Sequence, residues 1–323
     1  MSSHSLPRPV RLDDVIAAGL LPARPSRSHK GTFGKLLVIA GSVDYAGAAL
    51  LVCTAAGRAG AGLVTLAIPE SLQPLFAAKV VEATTLALPE DDVEEVDPDE
   101  ALSRILDHDH DALVIGPGLK PSLSMTDLIR GLLGPDEDHV PTVVDAEALR
   151  SLATVDSWAA EVTAQCVLTP HVGEFLRLRE ADGHPAEEHG DLVNDDGRRL
   201  AAARDAAKEW GQVVVLKGAR TVIAHPDGNA AVSPFENPAL ASGGTGDVLA
   251  GTIGALLAQG LDTFKAAQLG VYLHGSAAEA VRARIGDAGM LASDLTPELP
   301  LARRRLALLS AGKDGAALGV DAG

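Results

Sequence analysis

Basic residues are the minority charge in this chain: 27 Lys and Arg face 44 Asp and Glu, a formal net charge of −17. That excess excludes binding of nucleic acid, or of an anionic membrane, through a general basic surface. A nucleotide ligand survives the exclusion, because a few local glycines and lysines can hold phosphates whatever the global charge. Aromatics make up only 3% of the 323 residues and hydrophobic residues 46%, so the core has to be built from Ala, Val, Leu and Ile. The two cysteines, Cys53 and Cys166, sit in apolar contexts. They read as small buried hydrophobes, without a disulfide or metal role. No run approaches the ~18 apolar residues of a membrane span, and the first residues carry no apolar core of a secretory leader. The expected location is cytoplasmic, with no membrane or nucleic-acid partner.

Two nucleotide-binding signatures are also missing. No G-x-G-x-x-G follows the first strand-like segment, so a Rossmann dinucleotide site is not supported. Lys30-Gly31-Thr32-Phe33-Gly34-Lys35-Leu36 is not a P-loop, because its glycine spacing is too short and no Ser or Thr follows the lysine.

The body of the chain alternates two patterns. Near-continuous apolar runs predict strands at Lys35–Ala40, Leu63–Ile68, Thr84–Leu88, Ala112–Ile115, Thr142–Val144, Val167–Leu168 and Val213–Leu216. Helical patterns lie near Gly47–Arg58, Ala101–Leu106 and Leu123–Leu133. Apolar strands separated by helices predict an α/β fold in three layers, α/β/α, with a mostly parallel central sheet. Thr221–His225 and Ala230–Ser233, split by Pro226-Asp227-Gly228-Asn229, predict an antiparallel edge hairpin. Beyond Thr245 the pattern is helical over Val248–Ala258, Thr263–Arg284 and Ala292–Leu309. Residues 1–28 read as a Pro/Arg/Ser-rich extension with one small helix over Leu12–Leu21. Residues 29–310 read as one domain, and the Gly/Ala/Asp-rich tail 311–323 as disordered.

The most informative stretch is Asn237-Pro-Ala-Leu-Ala-Ser-Gly-Gly-Thr-Gly-Asp-Val-Leu-Ala-Gly251. Glycines just before a helix let backbone N–H groups converge on an anion, and the helix macrodipole adds to that field. This makes Gly243, Gly244, Thr245 and Gly246 a candidate anion hole. Asp247 follows at once, placed to take a proton from a hydroxyl as phosphoryl transfer begins. Taken alone, the same residues also fit a flexible turn, with Thr245 as helix N-cap and Asp247 complementing the first turn.

Strand ends strengthen the first reading. In open parallel sheets ligands bind beyond the carboxyl ends of strands. Here five such ends carry Gly41-Ser42 with Gly47-Ala48, Gly116-Pro117-Gly118-Leu119, Asp145-Ala146-Glu147, Thr169-Pro170-His171-Val172-Gly173-Glu174, and Lys217-Gly218-Ala219-Arg220-Thr221. Each can be turn chemistry by itself; five on one rim predict a site. His108-Asp109-His110-Asp111 resembles a metal cluster but precedes a strand, at the opposite rim, and is expected to be a solvated turn. His184 and His189 beside Glu187-Glu188 lack helical ligand spacing and read as surface. The acidic run Glu90–Glu100 reads as a solvated loop.

Together these motifs resemble the ADP-dependent (S)-NAD(P)H-hydrate dehydratases, a branch of the ribokinase-like superfamily. The matching pieces are His29-Lys30-Gly31-Thr32-Phe33-Gly34, Gly41-Ser42 with Gly47-Ala48-Ala49-Leu50, Gly116-Pro117-Gly118-Leu119, Asp145-Ala146 with Ala148-Leu149, Thr169-Pro170-His171 with Gly173-Glu174-Phe175, Leu216-Lys217-Gly218 with Thr221-Val222-Ile223, and the 237–251 stretch. They occur in order over roughly residues 29 to 275; Gly-Thr-Gly-Asp alone would indicate only the superfamily.

The resemblance implies a cofactor-repair enzyme. It would return the S-epimer of hydrated NADH or NADPH to the dihydronicotinamide, using ADP (or ATP) as phosphoryl donor with Mg2+. Carried over by motif position, Asp247 would act as base on the hydrated ring's hydroxyl. Gly243–Gly246 would hold the migrating phosphate, while Lys217, Gly218, Ala219, Arg220, Thr221 and Gly246 would bind the adenine nucleotide. Gly47, Ala48, Gly118 and His171 would contact the hydrated cofactor, and Glu174 would serve the metal, through water. A helix N-terminus is expected to make Asp247 a weak base. Val172 stands where the resemblance leads one to expect Pro, which is expected to loosen that turn. A homotetramer is implied, and residues 1–28 are too short for the epimerase domain fused in many bacterial relatives, so a separate epimerase is expected. The rival readings are a ribokinase-like kinase of a small alcohol or vitamin precursor, and a silent nucleotide-binding protein. The latter would be expected to lack Asp247 or the glycines.

Overall fold

The computed structural model describes residues 6–135, 139–185 and 189–317. In chain order the elements are β1 (Val10–Arg11), α1 (Asp14–Gly19), β2 (Lys35–Ile39), α2 (Ala46–Ala59), β3 (Leu63–Pro69), α3 (Gln73–Ala77), β4 (Thr84–Leu88), β5 (Glu90–Asp92) and β6 (Glu95–Val96). There follow α4 (Pro98–Leu106), β7 (Ala112–Ile115), α5 (Leu123–Leu133), β8 (Thr142–Val144), α6 (Glu147–Leu152), β9 (Cys166–Leu168), α7 (Val172–Ala181), α8 (His189–Asn194) and α9 (Asp196–Trp210). The last are β10 (Val213–Leu216), β11 (Val222–Ala224), β12 (Ala230–Val232), α10 (Thr245–Ala258), α11 (Thr263–Ile285), α12 (Ala292–Leu295) and α13 (Glu298–Ala317).

Among the described residues one ten-stranded sheet runs β1-β12-β11-β10-β9-β8-β7-β2-β3-β4. From β10 to β4 every pairing is parallel; β10–β11 and β11–β12 are antiparallel. The predicted hairpin therefore closes one side of the sheet, with β1 laid parallel along its outer strand. The parallel strands are apolar on both faces because both faces are covered. Their period of two divides them between two cores. Leu36, Val38, Val114, Val143, Val167 and Val215 face α2, α10, α11 and α13, while Leu37, Ile39, Ile115, Val144, Leu168 and Leu216 face α4 to α7 and α9. Trp158 and Trp210, among the few aromatics, pack in the second core with ring centroids 5.0 Å apart and planes tilted by 60°. Cys53 and Cys166 are free and buried, and burial pushes both thiols up to about 12.

α10 is apolar all round because it is surrounded. It lies between α2, α11 and the sheet, and two glycines allow the approach. A Cβ on Gly251 would lie 2.3 Å from the Val52 carbonyl oxygen, and one on Gly254 2.3 Å from a Val114 methyl.

Three expectations are corrected. The acidic run Glu90–Glu100 is not a loop: it forms the hairpin β5–β6 and enters the first turn of α4, which Asp97 caps through two backbone N–H groups. The helix expected over Ala292–Leu309 is two helices. Pro297 has no N–H for the Ser293 carbonyl, and the Thr296 hydroxyl donates there instead, at 3.1 Å. The small helix expected over Leu12–Leu21 shortens to α1. Asp13 caps it through the Ile16 N–H at 2.8 Å, and Leu12 is buried just outside it. α13 continues through Ala317, into the span expected to be disordered; residues 318–323 lie outside the described residues. His108-Asp109-His110-Asp111 does form a turn. It ties down the start of β2, with Asp109 paired to the Lys35 ammonium and Asp111 accepting the Lys35 N–H at 2.8 Å. Glu187 and Glu188 lie outside the described residues.

Candidate active site

The rim built from the carboxyl ends of the strands gathers the polar groups. Gly244 is the N-cap of α10 at φ +87°, a left-handed conformation where a Cβ would also meet a Leu51 methyl at 2.7 Å. Thr245 begins the helix, its hydroxyl 2.8 and 3.0 Å from the carbonyls of Leu240 and Ser242. Upstream, Asn237 caps the short turn Pro238–Leu240 by accepting the Ala239 N–H at 3.0 Å. Residues 237–246 are thus a braced loop that delivers the N-terminus of a fourteen-residue helix to the rim, with its first N–H groups free of intrahelical partners.

Three carboxylates and one ammonium surround this helix end. Asp145 leaves β8 and is almost fully buried; one carboxyl oxygen accepts from the Thr169 hydroxyl and from the Lys217 ammonium, both at 2.8 Å. The same ammonium lies 3.8 Å from Glu174. Burial alone would lower the Lys217 pKa, but Asp145 and Glu174 outweigh it and the net shift is upward, so the ammonium stays charged. It points at the cradle: a Cβ on Gly246 would lie 3.5 Å from Lys217 Nζ and 3.9 Å from Asp145 Oδ2. Asp247 projects from the first turn of α10, and its carboxyl reaches within 3.7 Å of where a Gly244 Cβ would stand.

The weak base expected at Asp247 is corrected. Burial first, and the Asp145 charge second, push its carboxyl up to about 7, against the opposing pull of Lys217. Desolvation and a like charge outweigh the helix end here.

His171 and Glu174 form a capping box at the start of α7. The Glu174 N–H donates to His171 Nδ1 at 3.2 Å, and Glu174 accepts the His171 N–H at 2.9 Å. Val172 therefore does not loosen the turn, because the box closes it without Pro. Burial raises the Glu174 pKa and lowers that of His171.

Beside the cradle opens a cavity of about 520 Å³. Lys217, Gly218, Ala219, Thr221, Thr245 and Gly246 line it, which brings together all but one of the residues expected at the nucleotide. The exception, Arg220, does not line it; its guanidinium pairs with Asp196 at 3.2 Å and with Glu236, and its N–H donates to the Phe235 carbonyl at 3.0 Å. The other walls include Ser233, Phe235, Glu236, Leu249, Val271 and His274. Burial pushes His274 down to about 4, so the ring is neutral, and Nε2 donates to the Thr245 carbonyl at 2.9 Å. The sequence alone assigns no role to Asp145, Phe235 or His274. Asp145 stood at a recognised strand end, whereas His274 sits mid-helix in an alanine-rich run with no local signal.

The residues expected to take the hydrated cofactor lie at the start of α2, after β7 and at the start of α7. The loops after β2 and β7 are joined by the Gly41 N–H donating to the Pro117 carbonyl at 2.9 Å. Gly118, at φ +66°, packs so closely on α2 that a Cβ would sit 2.7 Å from the Ala48 methyl. A Cβ at Gly47 would meet nothing within 4 Å. His171 is half exposed, and Glu174 links it to Lys217. This arrangement can hold an anion at a helix end, keep one cation beside it, and offer a carboxylate that titrates near neutrality.

Fold and rim define a ribokinase-like α/β/α protein. The chain belongs to the NAD(P)H-hydrate dehydratase family, whose model matches residues 36–301. It is 42% identical over 288 residues to the bifunctional NAD(P)H-hydrate repair enzyme of Moorella thermoacetica, covering 88% of this chain and 52% of that protein. It is 36% identical to the ADP-dependent (S)-NAD(P)H-hydrate dehydratase of Neisseria meningitidis, covering 88% of this chain and 90% of that one. The chain spans about half the length of the bifunctional relatives it matches. Among solved structures it is similar to the ADP/ATP-dependent NAD(P)H-hydrate dehydratase of Bacillus subtilis co-crystallized with ATP/Mg2+. That likeness has a TM-score of 0.76 and 32% identity, over 94% of this chain and 100% of that one.

Proposed function

We propose that the protein dehydrates the S-epimer of hydrated NADH or NADPH at the expense of ADP. The reading is carried by one observation: a buried carboxylate, Asp247, stands in the first turn of α10, beside an amide cradle that opens on a cavity of about 520 Å³. Family membership and the ADP-dependent Neisseria relative support it.

Hydroxide is a poor leaving group and phosphate a good one. Asp247 accepts the proton of the C6 hydroxyl as its oxygen attacks the terminal phosphorus of ADP, and AMP leaves. The ring-nitrogen lone pair then expels phosphate from C6, and loss of a C5 proton restores the C5–C6 double bond. The amides of Gly243–Gly246 hold the migrating phosphoryl group, and Lys217 offsets charge growing on its oxygens. Gly218, Ala219 and Thr221 line the nucleotide; Arg220 acts from outside the cavity wall. Gly47, Ala48, Gly118 and His171 orient the hydrated ring.

Magnesium fits the donor set. Among the described residues no three His, Cys, Asp or Glu form a metal cage, and Mg2+ seldom uses one; it binds one or two carboxylates together with phosphate oxygens and water. Glu174 supplies such an oxygen beside the cradle and would reach the ion through water. When bound, the ion would neutralise charge on the nucleotide phosphates. A homotetramer is proposed from the resemblance alone.

Incubation with chemically hydrated NADH and ADP tests the reading: the near-ultraviolet absorbance of dihydronicotinamide should return with release of AMP and phosphate. Phosphorylation of a small alcohol without that return would favour the kinase reading.

A further inference from the structure

The turn that lines the nucleotide cavity is held by one bond of its own, the Thr221 hydroxyl donating to the Gly218 carbonyl at 3.0 Å, and otherwise from behind. Gly218 stands at φ +154° and Arg220 at φ +52°, the latter a left-handed conformation that a side chain other than glycine adopts at a cost. Directly beneath lies Arg199, on the second turn of α9 and only 2% exposed. Its Nη2 donates to the Ala219 carbonyl, to the Arg220 carbonyl at 3.2 Å, and to Asp196 at 3.1 Å. Its Nη1 lies so close that a Cβ on Gly218 would meet it at 2.7 Å. Asp196 completes the brace by also binding the Arg220 guanidinium at 3.2 Å.

A guanidinium is a poor choice for filling this space. Its Nε is buried without a hydrogen-bond partner, and burying an unpaired polar group costs stability that a methionine of similar volume would not. What the guanidinium supplies and methionine cannot is a charged nitrogen, Nη2, whose N–H groups reach successive carbonyls of one turn. With those carbonyls drawn inward to α9, the opposite face of the turn is presented to the cavity.

We infer that Arg199 is a positioning residue for the adenine nucleotide: it clamps the 218–220 turn from behind and so sets affinity for the nucleotide without touching it. The inference rests on the reading that this cavity takes an adenine nucleotide. It adds that a residue outside the cavity, on a helix facing the opposite core, controls how well the nucleotide is held.

ADP affinity measured by calorimetry on the intact protein, without hydrated cofactor, tests the clamp. Arg199→Met should weaken ADP binding tenfold or more, and the KM for ADP should rise in step while kcat at saturating ADP stays within about threefold. Arg199→Lys, which keeps a donor for one carbonyl, should recover part of the loss. Asp196→Asn, at an exposed position, should weaken binding two- to fivefold, and it keeps the test available if Arg199→Met does not fold. Wild-type ADP affinity in folded Arg199→Met, or in Asp196→Asn, would overturn the clamp while leaving the dehydratase reading intact. A fall in kcat with ADP affinity unchanged would overturn it equally. A wild-type chain that bound no adenine nucleotide would overturn both.

Discussion

Asp247 shows how far one residue's chemistry depends on its neighbours. A carboxylate in the first turn of a helix is normally easier to ionise; this one is harder, because it is buried and faces Asp145. Its proton therefore leaves near neutrality, the range in which a general base works best. The expected pH profile of kcat/KM rises through about 7 as Asp247 ionises. Asp145→Asn removes the like charge and releases Lys217 to act on Asp247, so that rise should move to lower pH. Asp247→Asn should lower kcat by roughly 10² to 10⁴, the range of general-base contributions, with nucleotide binding retained because the cradle is backbone. Near-normal turnover in that variant would remove Asp247 from the mechanism. The same shift has a stability consequence. A carboxyl whose folded pKa is raised costs nothing below its unfolded value, costs more as pH rises toward the folded value, and reaches its full cost above it. Asp247→Asn should therefore melt several degrees above wild type at pH 8, and the gap should close toward pH 4.

At the scale of elements, the site depends on α10 arriving in one place. Its glycines set that place: Gly251 against the Val52 carbonyl and Gly254 against Val114 leave no room for a methyl group. Gly251→Ala should destabilise the fold by about 2 to 4 kcal/mol in denaturant titration. Overpacking a buried helix contact typically costs 1 to 3, and a backbone carbonyl yields less readily than a side chain. Gly246→Val acts on the same helix differently. Its Cβ would sit among Lys217 and Asp145 with little local strain, and its branches would crowd the phosphate position. It should weaken ADP binding while changing the melting temperature little; unaltered affinity in calorimetry would count against the cradle.

On the scale of the whole molecule, the sheet separates two cores, and the rim at the carboxyl ends of its strands carries the candidate site. The cavity proposed for the nucleotide draws its walls from the turn after β10, the segment after β12, α10 and α11. A ligand bridging those elements binds the folded state alone, so ADP at a hundred times its Kd should add about 2.7 kcal/mol of stability. That gain should be visible as a raised melting temperature in wild type and in Asp247→Asn alike. No helix among the described residues is long and apolar enough to cross a membrane.

The sequence by itself determined the strands β2 to β4 and β7 to β12, the parallel sheet and the rim. A strand covered on both faces has to be apolar throughout, and a turn presenting amides to an anion has to be rich in glycine. Those constraints are local, and Val213–Leu216 or Ser242–Asp247 display them directly. Tertiary structure alone decided the rest. It converted the acidic run into a hairpin and laid Val10–Arg11 beside β12. It raised Asp247 toward neutrality, brought His274 to the cavity from mid-helix, and set Arg199 beneath a turn twenty residues further on. Burial, like-charge repulsion and the grip of a guanidinium on distant carbonyls are properties of distances across the fold. A linear pattern of residue types carries no such distances.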